Sequence, residues 1–154
     1  MVVEVGPDEV GTYVATVPSL VDCRPAATVW DRARSVSAEM HSGFAALRQH
    51  WPMKAVGTAQ VELPPAGKDD VARVQQLWEQ CRSQFSSRGP WLFGEYSIAD
   101  AMYAPVALRF RHYGATFANA SAEAYYQQLM QDEHLRRWIE DAAAEVADNF
   151  GAGR

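Results

Sequence analysis

From Gly89 the chain reads Gly-Pro-Trp-Leu-Phe-Gly-Glu-Tyr-Ser-Ile-Ala-Asp-Ala-Met-Tyr-Ala-Pro-Val-Ala-Leu-Arg-Phe, a tight turn that opens directly into an apolar helix. Ser97 and Asp100 are spaced as a capping box, in which each side chain satisfies the other residue's backbone N–H at a helix start. From Ile98 to Leu108 the chain is almost wholly apolar, the composition of a helix surrounded by other helices. This helix is expected from Ile98 to about Tyr113, bent where Pro105 removes a hydrogen bond to Ala101, and stopped by Gly114. A central helix of this kind needs partners, so the fold class expected is an all-α bundle.

The partners are legible in the apolar spacing. Val29, Ala33, Val36, Met40, Phe44 and Leu47 recur at three- and four-residue steps, one stripe on a helix of about 20 residues that Trp51-Pro-Met ends. Between Trp51 and Gly67, three prolines and two glycines predict a loop, the segment expected to be the most mobile. A second helix is expected from Lys68 or Asp69, with Val71, Val74, Trp78, Cys81 and Phe85 on its inner face. Two more follow, at about Ala120 to Met130 and Asp132 to Ala147, the last turning Leu135, Trp138, Ile139, Ala142 and Val146 inward. The total is about five helices. Ahead of them, Val2-Val-Glu-Val and Thr12-Tyr-Val-Ala-Thr-Val are β-branched around Gly6-Pro-Asp-Glu-Val-Gly11, which predicts two short strands and a turn. The division expected is an N-terminal arm over residues 1–24, a helical domain over 25–150 and a disordered tail over 151–154.

With 154 residues, 48% of them hydrophobic, the chain can bury about two-thirds of its unfolded surface around one core. A net charge of −5 and only two lysines, Lys54 and Lys68, argue against a nucleic-acid footprint. No apolar run reaches the roughly 20 residues that span a bilayer, and the start lacks the basic residues of a signal peptide, so a cytoplasmic location is expected. Cys23 and Cys81 form neither a metal spacing nor a disulfide framework, and His50, His112 and His134 have no paired-ligand spacing, so no metal site is expected. Ser35, Ser37 and Ser42 sit on a helix without a nucleophile elbow.

The Phe-Gly-x-x-Ser-x-Ala-Asp run at Phe93 to Asp100 resembles the segment that opens the central helix in the all-helical C-terminal domain of the cytosolic glutathione transferases. Arg32-Ala-Arg-Ser-Val-Ser-Ala-Glu-Met-His-Ser-Gly-Phe-Ala-Ala-Leu-Arg is similar to the first helix of that domain in bacterial, zeta-like members. The resemblance runs from about Pro25 to Val146, and it implies that Ser97 and Asp100 serve folding, not catalysis. It also implies that an apolar ligand would meet Met40, His41 and Phe44 on the first helix with Tyr103, Phe110 and Tyr113 on the central one. Met40 and Phe44 equally suit plain core packing, and His41 suits a hydrogen-bonded edge position.

In that family a thioredoxin-like domain binds glutathione. Here only about 24 residues precede the helices, fewer than the 30 or more of a single βαβ unit. Thr16-Val-Pro-Ser-Leu-Val-Asp resembles the family's Val-Pro-x-Leu strand, placing the cis-proline position at Val17-Pro18, but no acidic-Ser pair follows it to clamp the γ-glutamyl end. No cofactor is therefore expected, and glutathione has no visible clamp. Three functions stay open: a non-catalytic binder of a small apolar ligand, a transferase completed by a partner chain or an altered site, and an assembly module. Open strand edges and the face left by a missing domain imply a homodimer, with a small hydrophobic ligand or a protein as the other partner.

Overall fold

The computed structural model describes residues 28–151 together with Val5–Pro7 and Tyr13–Ala15. Strands β1 (Val5–Pro7) and β2 (Tyr13–Ala15) pair antiparallel, with Val5 opposite Ala15 and Pro7 opposite Tyr13. The described part of the first expected strand takes in Gly6 and Pro7 of the expected turn, and residues 2–4 lie outside the described residues. The Val17-Pro18 bond, Cys23 and residues 152–154 lie outside the described residues.

Six helices follow: α1 (Val29–Ser42), α2 (Ala45–His50), α3 (Pro65–Phe85), α4 (Ile98–Tyr113), α5 (Ala120–Gln131) and α6 (Glu133–Gly151). The bundle is all-α in this part, and α4 is its centre, packed between α1 and α5 while α3 lies against α2 and α5. At the middle of the core Trp78 of α3 touches three rings: Tyr103 and Phe110 of α4, at centroid distances of 5.7 and 5.5 Å, and Tyr125 of α5 at 5.0 Å. The indole Nε1 has no hydrogen-bond partner among the described residues, and the edge-to-face rings around it supply its contacts.

The expected 20-residue first helix is two helices. Gly43 and Phe44 interrupt it, Phe44 sitting in the left-handed region at φ 57° with its ring buried in the core. That conformation is unfavourable for a bulky residue, and burial of the ring fixes it. The carbonyls freed at the break are taken by Arg48, which donates to His41 O at 3.1 Å and Gly43 O at 2.7 Å. Phe44 gives α2 no side-chain cap, and the Asp70 carboxylate of α3 replaces it, accepting the Leu47 N–H at 2.9 Å. Asp70 therefore serves α2, while α3 starts earlier than expected, with Pro65 in its first turn, where a missing N–H is harmless.

The Trp51 to Pro64 segment is fastened along its length, contrary to the mobility expected of it. Arg109 donates to Trp51 O (2.8 Å), Tyr113 to Pro52 O (3.1 Å), Arg111 to Ala55 O (3.2 Å) and His112 Nδ1 to Gly57 O (2.8 Å). The Ala59 N–H returns to His112 O, and Trp51 Nε1 reaches Val61 O. Trp51 stacks flat on Tyr113, 5.1 Å between centroids.

The capping box forms at Ser97 and Asp100. Asp100 is fully buried and does more than cap. Its Oδ2 accepts from the Ser97 N–H at 2.8 Å and the Ser97 hydroxyl at 2.9 Å, and its Oδ1 accepts from the Leu92 N–H at 3.0 Å and the Tyr125 hydroxyl at 2.9 Å. Burial, with the adjacent Asp100 carboxylate, pushes the Tyr125 phenol well above its ordinary range. The helix passes Pro105 without ending and stops at Gly114, which takes the left-handed conformation at φ 66°.

The last helix departs from expectation. Leu135, Ile139 and Ala142 are half-buried, whereas Trp138 and Val146 are exposed. Its packing is against α5, which covers only part of the apolar stripe.

The Asp100 carboxylate is replaceable by nothing of equal charge and shape. Asp100→Asn presents an amide N–H₂ where acceptors are needed, and should lower unfolding stability by about 3 kcal/mol in urea titration. Tyr125→Phe removes one of four donors and should cost about 1 kcal/mol. An Asp100→Asn protein as stable as the parent would remove this carboxylate from its structural role.

Candidate functional site

Two helices of the bundle carry matching stripes. On α1, Arg32, Ser35, Val36 and Glu39 recur at the three- and four-residue steps of one helix face, and on α3 Arg73, Gln76, Leu77, Gln80, Cys81 and Gln84 do the same. Facing each other, the stripes form a groove of about 520 Å³, closed at one end by Phe85 and Phe93. That volume lies in the range of small-molecule sites.

Charged straps cross the groove at two places. Arg73 and Glu39 form a two-pronged pair, Nε to Oε1 at 2.7 Å and Nη2 to Oε2 at 3.1 Å, and Arg73 Nη1 also donates to Gln76. At the other strap Arg32 donates to the Gln84 side-chain carbonyl. Arg32 and Glu39 are two helical turns apart, so the straps stand about 10 Å from each other along α1. Between them the floor is apolar, made by Val36, Leu77 and Cys81.

The thiol and phenol groups near this groove are held in their protonated forms. Burial pushes the Cys81 thiol up to about 12, and burial together with the Glu39 carboxylate raises the Tyr103 phenol. Neither has the depressed pKa of an activated nucleophile.

The residues expected to face a ligand are distributed otherwise. Met40, Phe44, Tyr103, Phe110 and Tyr113 are all buried members of one core cluster, and His41 is exposed at the end of α1. Tyr103 and Phe110 meet on Trp78, about two helical turns apart. Tyr103 is linked to the groove from beneath, its hydroxyl 3.5 Å from the Val36 carbonyl. Tyr113, with Trp51, Val61, Val71 and Phe117, lines a second, shallower hollow of about 490 Å³. Ser97 is half-buried and Asp100 buried, both occupied by the helix cap. The groove-lining residues escaped sequence reading because their stripe lies at the border of the apolar face, where polar and apolar positions alternate. The signal was available in the three-four spacing that begins at Arg32 and again at Arg73.

Among the described residues no group of His, Cys, Asp and Glu side chains is arranged to hold a metal ion, and no helix is long and apolar enough to cross a membrane. The family model described as "Glutathione S-transferase, C-terminal domain" matches residues 32–141, more than two-thirds of the chain. The chain belongs to that family. No curated protein matches it.

Alkaline pH tests the buried acids. A thiol whose pKa is near 9 when unfolded and about 12 when folded stabilises the fold fully below pH 9, and that stabilisation is lost as pH climbs toward 12. The raised Tyr103 and Tyr125 phenols add in the same direction. The unfolding midpoint should therefore fall progressively above pH 9 and by a smaller amount in Cys81→Ala. An identical pH dependence in that variant would show that Cys81 is not one of the responsible groups.

Proposed function

We propose that this chain is a binding member of its family, holding a small ligand in the groove between α1 and α3 and performing no thiol conjugation by itself. The observation that carries this reading is the groove's construction: an apolar floor about 10 Å long between the Arg73–Glu39 and Arg32–Gln84 straps, with a volume of about 520 Å³. An apolar body lies on Val36, Leu77 and Phe85, and the guanidinium groups at the ends orient polar atoms. Tyr103, from the set that the family resemblance nominates, supports the groove through Val36. Cys81, held protonated by burial, offers no thiolate nucleophile, and the Tyr103 hydroxyl is buried on the Val36 carbonyl, so neither favours chemistry over binding.

The test uses the fluorescent apolar probe 8-anilinonaphthalene-1-sulfonate and a variant that fills the groove. Gln80 is exposed on the groove wall, so Gln80→Trp occupies the space without entering the core. Probe affinity should drop about tenfold, equivalent to about 1.4 kcal/mol, with the melting temperature unchanged. Probe binding that is indifferent to Gln80→Trp would place the apolar site elsewhere. Conjugation of glutathione to an electrophile above the uncatalysed rate by the pure chain would overturn the non-catalytic part.

A further inference from the structure

Helix α6 carries an amphipathic surface that neither the core nor the groove uses. Trp138 is 46% and Val146 45% exposed, and every residue from 143 to 149 is exposed, so the helix runs on past the body of the bundle. The family match ends at residue 141, so this projecting half lies outside the matched range. Leu135, Ala142 and Val146 form an apolar stripe at seven- and four-residue steps. Beside it Trp138, Asp141, Glu145 and Asp148, at steps of three, four and three, form a second stripe that is aromatic at one end and acidic along the rest.

The charge pattern selects what covers this face. Acidic residues crowd the C-terminal half of α6 and no basic residue stands in its last turn, an arrangement that opposes the helix dipole and that a cationic partner reverses. The chain's own N-terminal segment is a poor match, since residues 1–27 carry Glu4, Asp8, Glu9 and Asp22 against Arg24 alone. A second copy laid antiparallel would set acidic stripe on acidic stripe with only Arg137 at its end, and laid parallel would set it on the Arg136, Ile139 and Ala143 flank, one cation against three carboxylates. Neither neutralises Asp141, Glu145 and Asp148. We propose that the face of α6 from Trp138 to Asp148 docks a basic amphipathic helix of a different protein, with apolar side chains on Trp138, Ala142 and Val146 and lysines or arginines facing the three carboxylates.

The probe is a synthetic helical peptide of leucine and lysine, about four turns long, titrated calorimetrically into the full chain beside an isomer with glutamate in place of lysine. The lysine peptide should bind and the glutamate peptide should not. Glu145→Lys with Asp148→Lys, and separately Trp138→Ala, should each weaken binding by about tenfold or more. A control with the same change in net charge, Asp69→Lys with Glu79→Lys on exposed positions of α3, should leave affinity within about twofold of the parent. Circular dichroism of each variant checks that the bundle is intact. Equal weakening by the control would reduce the effect to net charge, and equal binding of both peptides would remove the acidic stripe from the account. Absence of binding to the folded chain, or self-association that Trp138→Ala abolishes, would overturn the proposal.

Discussion

The buried Asp100 carboxylate ties together three parts of the chain. Through Leu92 it holds the turn before α4, through Ser97 it starts α4, and through the Tyr125 hydroxyl it fixes α5. A charge out of water is tolerated only when its lone pairs are occupied, so the four donors must arrive together or the carboxylate becomes a large penalty. That requirement makes the arrangement cooperative. It also sets the position of α4, whose Tyr103 and Phe110 then meet Trp78 of α3 and close the aromatic centre of the core.

The groove follows from the same placement. With α4 seated beneath, α1 and α3 cannot pack directly along their full length, and the border residues of each helix are left facing a shared trough. The straps at Arg73–Glu39 and Arg32–Gln84 hold the trough's width without filling it. Cys81 on its floor is held in its neutral form by burial, which suits a surface that contacts a ligand and does not react with it.

What the sequence revealed tracks how local each cause is. The α4 start, its stop at Gly114, and the inner face of α3 were readable because caps, a left-handed glycine and an apolar period act within a few residues. The break between α1 and α2 was hidden because Phe44, a residue that ordinarily continues a helix, is held at positive φ by burial of its ring, and the new helix is capped by Asp70 from 23 positions further on. The groove was hidden for a related reason. Each stripe reads alone as the ordinary margin of an amphipathic helix, and only their juxtaposition makes a site. Trp138 shows the reverse case: its spacing on α6 is that of a core residue, but the half-buried side of the helix runs through Leu135, Ile139 and Ala142 and leaves Trp138 at its margin, exposed.

The fastening of the Trp51 to Pro64 segment is made almost entirely to its backbone. Arg109, Tyr113, Arg111, His112 and Trp51 all donate to main-chain carbonyls there, and the reverse bond comes from the Ala59 amide. Carbonyls are common to every amino acid, so the information that shapes this stretch resides in the end of α4 and in Trp51 at its start. Its exposed side chains at Met53, Lys54, Thr58 and Gln60 are thereby released to change in composition at little energetic consequence, while Gly57 at φ 78° and Ala59 against the core keep the path of the chain.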